Sequence, residues 1–196
     1  LVKSGDQLII QVEKEPISTK GARVSAEVSI PGRFFVLCPF QNHINVSKNI
    51  STAKERKRIL RLTESIKPKN FGIIIRTTAE NKNAADLIQD LKSLILKWEE
   101  LSKKLGSLGS KKIKFEKVLE EEIKAKSILR DVLNDSFNKI IVNNKEFFHE
   151  IRTFTSSIAP GMEKIIAYYD QTKPIFDQYH IRKQLKSCFS PIMNMS

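Results

Sequence analysis

Arg76, Thr77 and Thr78 follow directly on the apolar run Phe71-Gly72-Ile73-Ile74-Ile75. A guanidinium with hydroxyls behind it suits an anion. Its planar fork of N–H donors matches two phosphate oxygens at once, and a hydroxyl adds a further bond. The turn Pro31-Gly32-Arg33 supplies a residue without a Cβ, where a ligand or another backbone can approach the N–H closely. Two basic groups accompany these: Lys14, Lys20 and Arg23 around one turn, and Lys54, Arg56, Lys57, Arg58 and Arg61 in one helical stretch. Each has a plainer reading, an arginine paired with a carboxylate at a strand end and charge runs that are simply solvated. No P-loop or nucleophile elbow occurs. His43, His149 and His180 stand without partners at ligand spacing, and Glu120, Glu121 and Glu122 are adjacent, so they fan out around a helix instead of converging on a metal. Neither a catalytic residue nor a metal ligand is expected here.

The apolar run must position Arg76. A continuous run of this length, bounded by turn residues, predicts a strand buried on both faces. Upstream, Gln7–Glu15 and Ala22–Ile30 alternate apolar and polar residues around Pro16 and Gly21, which predicts a β-hairpin with a basic tip. Another strand follows Pro31-Gly32, over Phe34–Cys38. Ser51 or Thr52 can cap a helix over Ala53–Ile66, which Lys67-Pro68 ends. Asn83 can cap a long helix whose stripe, Leu87, Leu91, Leu94, Trp98, Leu101 and Leu105, packs into a core. The segment Gly106–Lys112 reads as a linker.

Beyond it, Leu119–Leu133 reads as a helix with the glutamates near its N-terminus. Lys139–Val142 reads as a buried strand. Asn143 or Asn144 can cap a helix with Phe147, Ile151, Phe154 and Ile158 on one face, which Pro160-Gly161 breaks. Ile165–Asp170 reads as a strand and Ile181–Cys188 as a last helix. Without regular βαβ alternation, the class is α+β.

The 196 residues include 34 Lys or Arg against 22 Asp or Glu, a net charge of +12. That balance suits a polyanionic partner, nucleic acid or an anionic membrane surface, unless it is basic drift in a lysine-rich proteome. No apolar run approaches the roughly 20 residues that span a bilayer. No secretory signal leads the chain, which starts at Leu1 without Met, as a fragment or processed product does. Cys38 and Cys188 form no CxxC pair, which points to reduced thiols in a cytoplasmic protein, each acting as a small buried apolar side chain.

Together these segments resemble the ribonuclease E/G family. The resemblance is carried by Gln11-Val12-Glu13-Lys14-Glu15-Pro16-Ile17-Ser18-Thr19-Lys20-Gly21, by Val28-Ser29-Ile30-Pro31-Gly32-Arg33 with Val36-Leu37 and Pro39, and by Gly72-Ile73-Ile74-Ile75-Arg76-Thr77 with Ala79 and Glu80. Trp98, Leu129-Arg130-Asp131 and Gln184-Leu185-Lys186-Ser187-Cys188-Phe189 extend it. Within the family, the wording of the hairpin and of Ser65–Gly72 is most similar to the Bacteroidetes type of the ribonuclease G branch. The family implies endoribonucleases that cut single-stranded RNA and prefer a 5′-monophosphate end.

The resemblance implies an order of parts. Residues 1–28 would be the C-terminal strands of an OB-fold β-barrel that binds RNA, 29–125 a 5′-monophosphate sensor subdomain and 126–189 a ribonuclease-H-like scaffold subdomain. Residues 190–196 would form a divergent tail. It implies that Arg76 and Thr77 grip the phosphate, that the backbone of Gly32 approaches the terminal nucleotide, and that Val36 is the apolar contact beside it. Lys20, with Lys14 and Arg23, would meet the RNA backbone, as would Tyr179 in Gln178-Tyr179-His180. Catalytic aspartates that hold Mg2+ and the cysteines of a zinc link would lie beyond Phe189. No cofactor is therefore expected in this segment, nor RNA cleavage by it alone. The implied partner is single-stranded RNA with a 5′-monophosphate, in the cytoplasm and away from membranes, with homo-oligomerisation of a full-length parent left open. The alternatives are a stand-alone, non-catalytic RNA-binding protein derived from the family and an interaction scaffold that binds no RNA.

Overall fold

The computed structural model describes residues 3–108, 116–120, 124–134 and 136–189. The chain divides into two compact units, residues 1–121 and 122–196. The class is α+β, and among the described residues no sheet closes into a barrel.

The first unit opens with the hairpin of β1 (Gln11–Lys14) and β2 (Arg23–Ser25). It is shorter than the sequence alternation suggests, with a register shift between Val12 and Lys14. Leu8, Ile10, Val12 and Val24 remain exposed. A two-stranded ribbon with no layer against its apolar face gains little from further pairing.

A four-stranded sheet follows, built from β3 (Ile30–Pro31), β4 (Phe35–Pro39), β5 (Ile44–Val46) and, after α1 (Ala53–Ile66), β6 (Phe71–Ile75). The spatial order is β3-β4-β6-β5. β4 and β6 run antiparallel with Phe35 opposite Ile75 and Leu37 opposite Ile73, whereas β5 lies parallel to β6. α1 is therefore the crossover of a βαβ unit, which the sequence pattern did not announce. Period-two alternation sends Phe35, Leu37, Ile73 and Ile75 to one face. There they are buried with Ile59 of α1 and with Leu87, Leu91, Leu94 and Leu101 of α2 (Ala84–Leu108).

The other face carries Pro31, Val36, Ile74 and Asn45 in one cross-strand row. Ile74 is 36% exposed, so β6 is buried on one face, not on both as the sequence suggested. Both helices contribute to the single core on the opposite side.

The helix boundaries follow local chemistry. Thr52 caps α1 by accepting from the Glu55 N–H, and the helix stops at Lys67, before Pro68. Asn83 accepts from the Asp86 N–H at the start of α2. Trp98 packs edge-on against Phe40 and Phe71, as part of the core. α2 runs through Gly106 and Ser107, so the expected linker does not begin at Gly106; its residues 109–112 lie outside the described ones.

The second unit contains α3 (Lys124–Val132), β7 (Ile140–Val142), α4 (Lys145–Ile158), β8 (Ile166–Tyr168), α5 (Ile175–Gln178) and α6 (Ile181–Cys188). β7 and β8 pair in parallel around α4, a second βαβ unit. Its core joins Val142, Ile151 and Ile166 with Leu129, Phe147 and Phe148. Asn144 caps α4, and Gly161, at φ 93°, turns the chain after it.

Several sequence expectations shift here. Leu119 and Glu120 precede the helix instead of opening it, and Glu121 and Glu122 lie outside the described residues. The strand expected over Ile165–Asp170 is trimmed by a 3-10 turn over Met162–Ile165. α5 was not anticipated. Cys38 is buried as expected, but Cys188 is exposed, because α6 has no buried residue. Residues 190–196 lie outside the described ones. No described helix is long and apolar enough to cross a membrane.

Candidate nucleic-acid interface

Arg76 leaves the sheet as β6 ends. Its N–H donates to the Phe34 carbonyl at 2.9 Å, and its Nη1 donates to the Gly32 carbonyl at 2.8 Å. The guanidinium is thus aimed by the turn between β3 and β4. Thr77 opens a 3-10 turn over Thr77–Ala79; its hydroxyl is exposed and shares a 2.8 Å hydrogen bond with the Ser47 hydroxyl. Thr78 donates its hydroxyl to the Arg33 carbonyl. Val36 is half-buried in the outward row, opposite Ile74 and Pro31.

One carboxylate holds this corner. Asp90 of α2 accepts from the N–H groups of Arg33 at 3.0 Å, Phe34 at 2.9 Å and Phe35 at 3.0 Å. The Gly32 N–H closes the turn onto the Phe35 carbonyl at 2.7 Å. A Cβ on Gly32 would stand 2.8 Å from both Asp90 Oδ2 and Leu94 Cδ1. The close neighbours of Gly32 are thus side chains of α2. Sequence reasoning missed Asp90; the available signal was an aspartate bordering the buried stripe, between Leu87 and Leu91.

The loop after Thr77–Ala79 is stitched to the start of α1. Glu80 accepts from the Ser51 N–H at 2.8 Å. Asn81, at φ 59°, donates its N–H to Glu55 Oε1 at 2.9 Å. Arg58 binds both oxygens of Glu55, at 2.8 and 2.7 Å, and also donates to the Lys82 carbonyl. The hydrogen bond from Arg58 holds the Glu55 carboxyl well below its usual range, at about 2. Thr52, Lys54, Glu55, Lys57, Arg58, Arg61 and Asn81 line an open groove of about 690 Å³ there.

The other residues singled out in the sequence lie elsewhere. Lys14, Lys20 and Arg23 sit on the exposed hairpin, where Arg23 pairs with Glu13 at 2.8 Å and Lys20 bridges to Ile17. Gln11 ties the hairpin to Ser29 through three hydrogen bonds, at 3.1, 2.8 and 3.4 Å. In the second unit, Tyr179 stands 6.5 Å from the Tyr169 ring and lines a groove of about 640 Å³ with Phe137, Lys139 and Ile141. Among the described residues, no three His, Cys, Asp or Glu side chains form a group suited to a metal ion.

A family model described as the ribonuclease E/G family matches residues 29–196. Ribonuclease G of Haemophilus influenzae is 30% identical over 195 residues, which cover 100% of this chain and 39% of that protein. Ribonuclease G of Escherichia coli strain K12 is 29% identical over 186 residues, covering 95% and 37%. Ribonuclease E of a Nostoc species is 26% identical over 198 residues, covering 100% and 28%. The chain thus spans less than two fifths of the length of these relatives.

Proposed function

Because the chain belongs to the ribonuclease E/G family, we propose that it is the RNA-gripping, 5′-monophosphate-sensing segment of such an endoribonuclease, working in the cytoplasm in RNA processing and decay. Its task is recognition. Arg76 takes the terminal phosphate through parallel N–H···O bonds, with the Thr77 hydroxyl beside it, and Val36 meets the first nucleotide. Lys14, Lys20 and Arg23 of the hairpin, in the place of an OB-fold's last strands, meet the backbone further along, as does Tyr179. Catalytic aspartates and their Mg2+ belong to the part of the relatives that this segment does not match.

The observation that carries this reading is the construction of the Arg76 corner. A cation and a hydroxyl stand at the end of a core strand, and three backbone N–H groups of the facing turn are fixed by one carboxylate. Such preorganisation lets a phosphate be bound without ordering a loop at the same time. Each charge-assisted hydrogen bond contributes roughly 1.5–3 kcal/mol, so losing two weakens binding about 100-fold or more. Arg76→Ala should show that loss on 5′-monophosphorylated RNA and little on the 5′-hydroxyl form, measured by fluorescence anisotropy. Equal losses on both would remove the sensor reading and leave a basic RNA-binding surface indifferent to the end.

A further inference from the structure

The groove beside α1 is not needed to hold a terminal phosphate, yet it is built of cations. Lys54, Lys57, Arg58 and Arg61 fall at spacings of three, one and three, which places them on one face of the helix. All four line the groove. Arg58 is committed to Glu55 and the Lys82 carbonyl. Among the described residues, no carboxylate pairs with Lys54, Lys57 or Arg61. The one carboxylate in the lining, Glu55, is neutralised by the bidentate arginine and by the Asn81 N–H. Three cations therefore face the groove uncompensated.

The groove also adjoins the Arg76 corner through the chain. Asn81 lines it and follows Thr77 by four residues, a reach of at most about 14 Å. The tie from Asn81 to Glu55 fixes that neighbour against α1.

We propose that this groove is a second RNA subsite, which takes the sugar–phosphate backbone of the nucleotides following the 5′ end. It rests on the reading of Arg76 and Thr77 as the terminal-phosphate site, but its physics is different. Lysines spaced along a helix face neutralise phosphates as point charges and read neither base nor end chemistry. The occupant is single-stranded RNA and not a duplex, because the groove is a local hollow beside one helix.

The test uses the 196-residue chain and Lys54→Ala/Lys57→Ala/Arg61→Ala. These positions are exposed or partly so, and alanine is a good helix former, so α1 should persist. Probes are a 5′-monophosphorylated dinucleotide and decamers with 5′-monophosphate or 5′-hydroxyl ends, titrated from low to moderate salt. The triple variant should bind both decamers more weakly by the same factor. Its plot of log affinity against log salt should be shallower by about 2, three contacts at about 0.7 each on a single strand. Dinucleotide binding should be unchanged. An unaltered salt slope on both decamers overturns the subsite while leaving the 5′ reading intact. A shallower slope with no end preference in the wild type keeps the groove and removes the terminal-phosphate reading. If circular dichroism shows that the triple variant has lost helix, Lys57→Ala/Arg61→Ala provides the same comparison, with a slope change of about 1.4.

Discussion

The two units hold their turns by different means. In residues 1–121, side chains reach across the sequence to fix backbone: Asp90 to Arg33, Phe34 and Phe35, Glu55 to Asn81, Glu80 to Ser51. Among the described residues of 122–196, the bonds of Asn134 with Ser136, Glu163 with Gly161 and Tyr169 with Lys173 instead join near neighbours. The ion pair of Lys126 with Glu150 is a longer-range tie there. Long-range polar ties fix a loop in one geometry, as recognition of a small anion requires. The Arg76 corner stands on such ties. Tyr179, by contrast, follows α5, a single short turn of helix, and is 44% exposed.

Asp90→Ala should break the first unit's corner most severely. It strands partly buried N–H groups, each costing about 1–3 kcal/mol when unmet, so a loss on the order of 3 kcal/mol is expected in urea unfolding. Hydrogen exchange at Arg33, Phe34 and Phe35 should accelerate with it. Glu163→Ala, which removes an exposed bond to Gly161, should change stability by less than about 0.5 kcal/mol. Similar losses for the two would erase the distinction between the units.

Two buried helical threonines sharpen it. Thr63 in α1 donates its hydroxyl to the Ile59 carbonyl at 2.8 Å, whereas the buried Thr155 Oγ1 in α4 has no hydrogen-bond partner among the described residues. Replacement by valine removes the hydroxyl and keeps the shape. Thr63→Val should therefore destabilise by about 1 kcal/mol, and Thr155→Val should stabilise by up to about 1 kcal/mol. Denaturation midpoints moving in the same direction would contradict this.

The last effect is in pH. Glu55 titrates at about 2 in the fold, against about 4.5 unfolded. The unfolded chain therefore takes up the proton first, and stability rises with pH between those values. The tie among Glu55, Arg58 and Asn81 is complete above about 4.5 and is lost as pH falls toward 2. Amide exchange at Asn81, corrected for its intrinsic pH dependence, should follow that titration, and Glu55→Gln should abolish the dependence.

Much of the fold was legible because its signals are local. Thr52, Asn83 and Asn144 announced helix starts, Pro68 an end, and apolar spacing the core face of α2. The helices over Ala53–Ile66 and Ile181–Cys188 match their expected bounds. Arg76 was legible as a candidate because a guanidinium ending an apolar run stands out. Less legible were positions where local preference is weak: the continuation of α2 through Gly106 and the short helix after Pro174.

By itself, then, the sequence determined the punctuation of helices and strands, the basic balance and the kinship, all of which depend on residue types within a few positions or on their order along the chain. Only the tertiary structure decided that Asp90 would hold the Gly32–Phe35 turn, that β5 would lie parallel to β6, that Ile74 would face outward, and that four lysine and arginine side chains would share a groove with Asn81. These relations join residues tens of positions apart. They arise when burial of one sheet face against α1 and α2 fixes which distant groups meet, and no period or cap in the sequence encodes that choice.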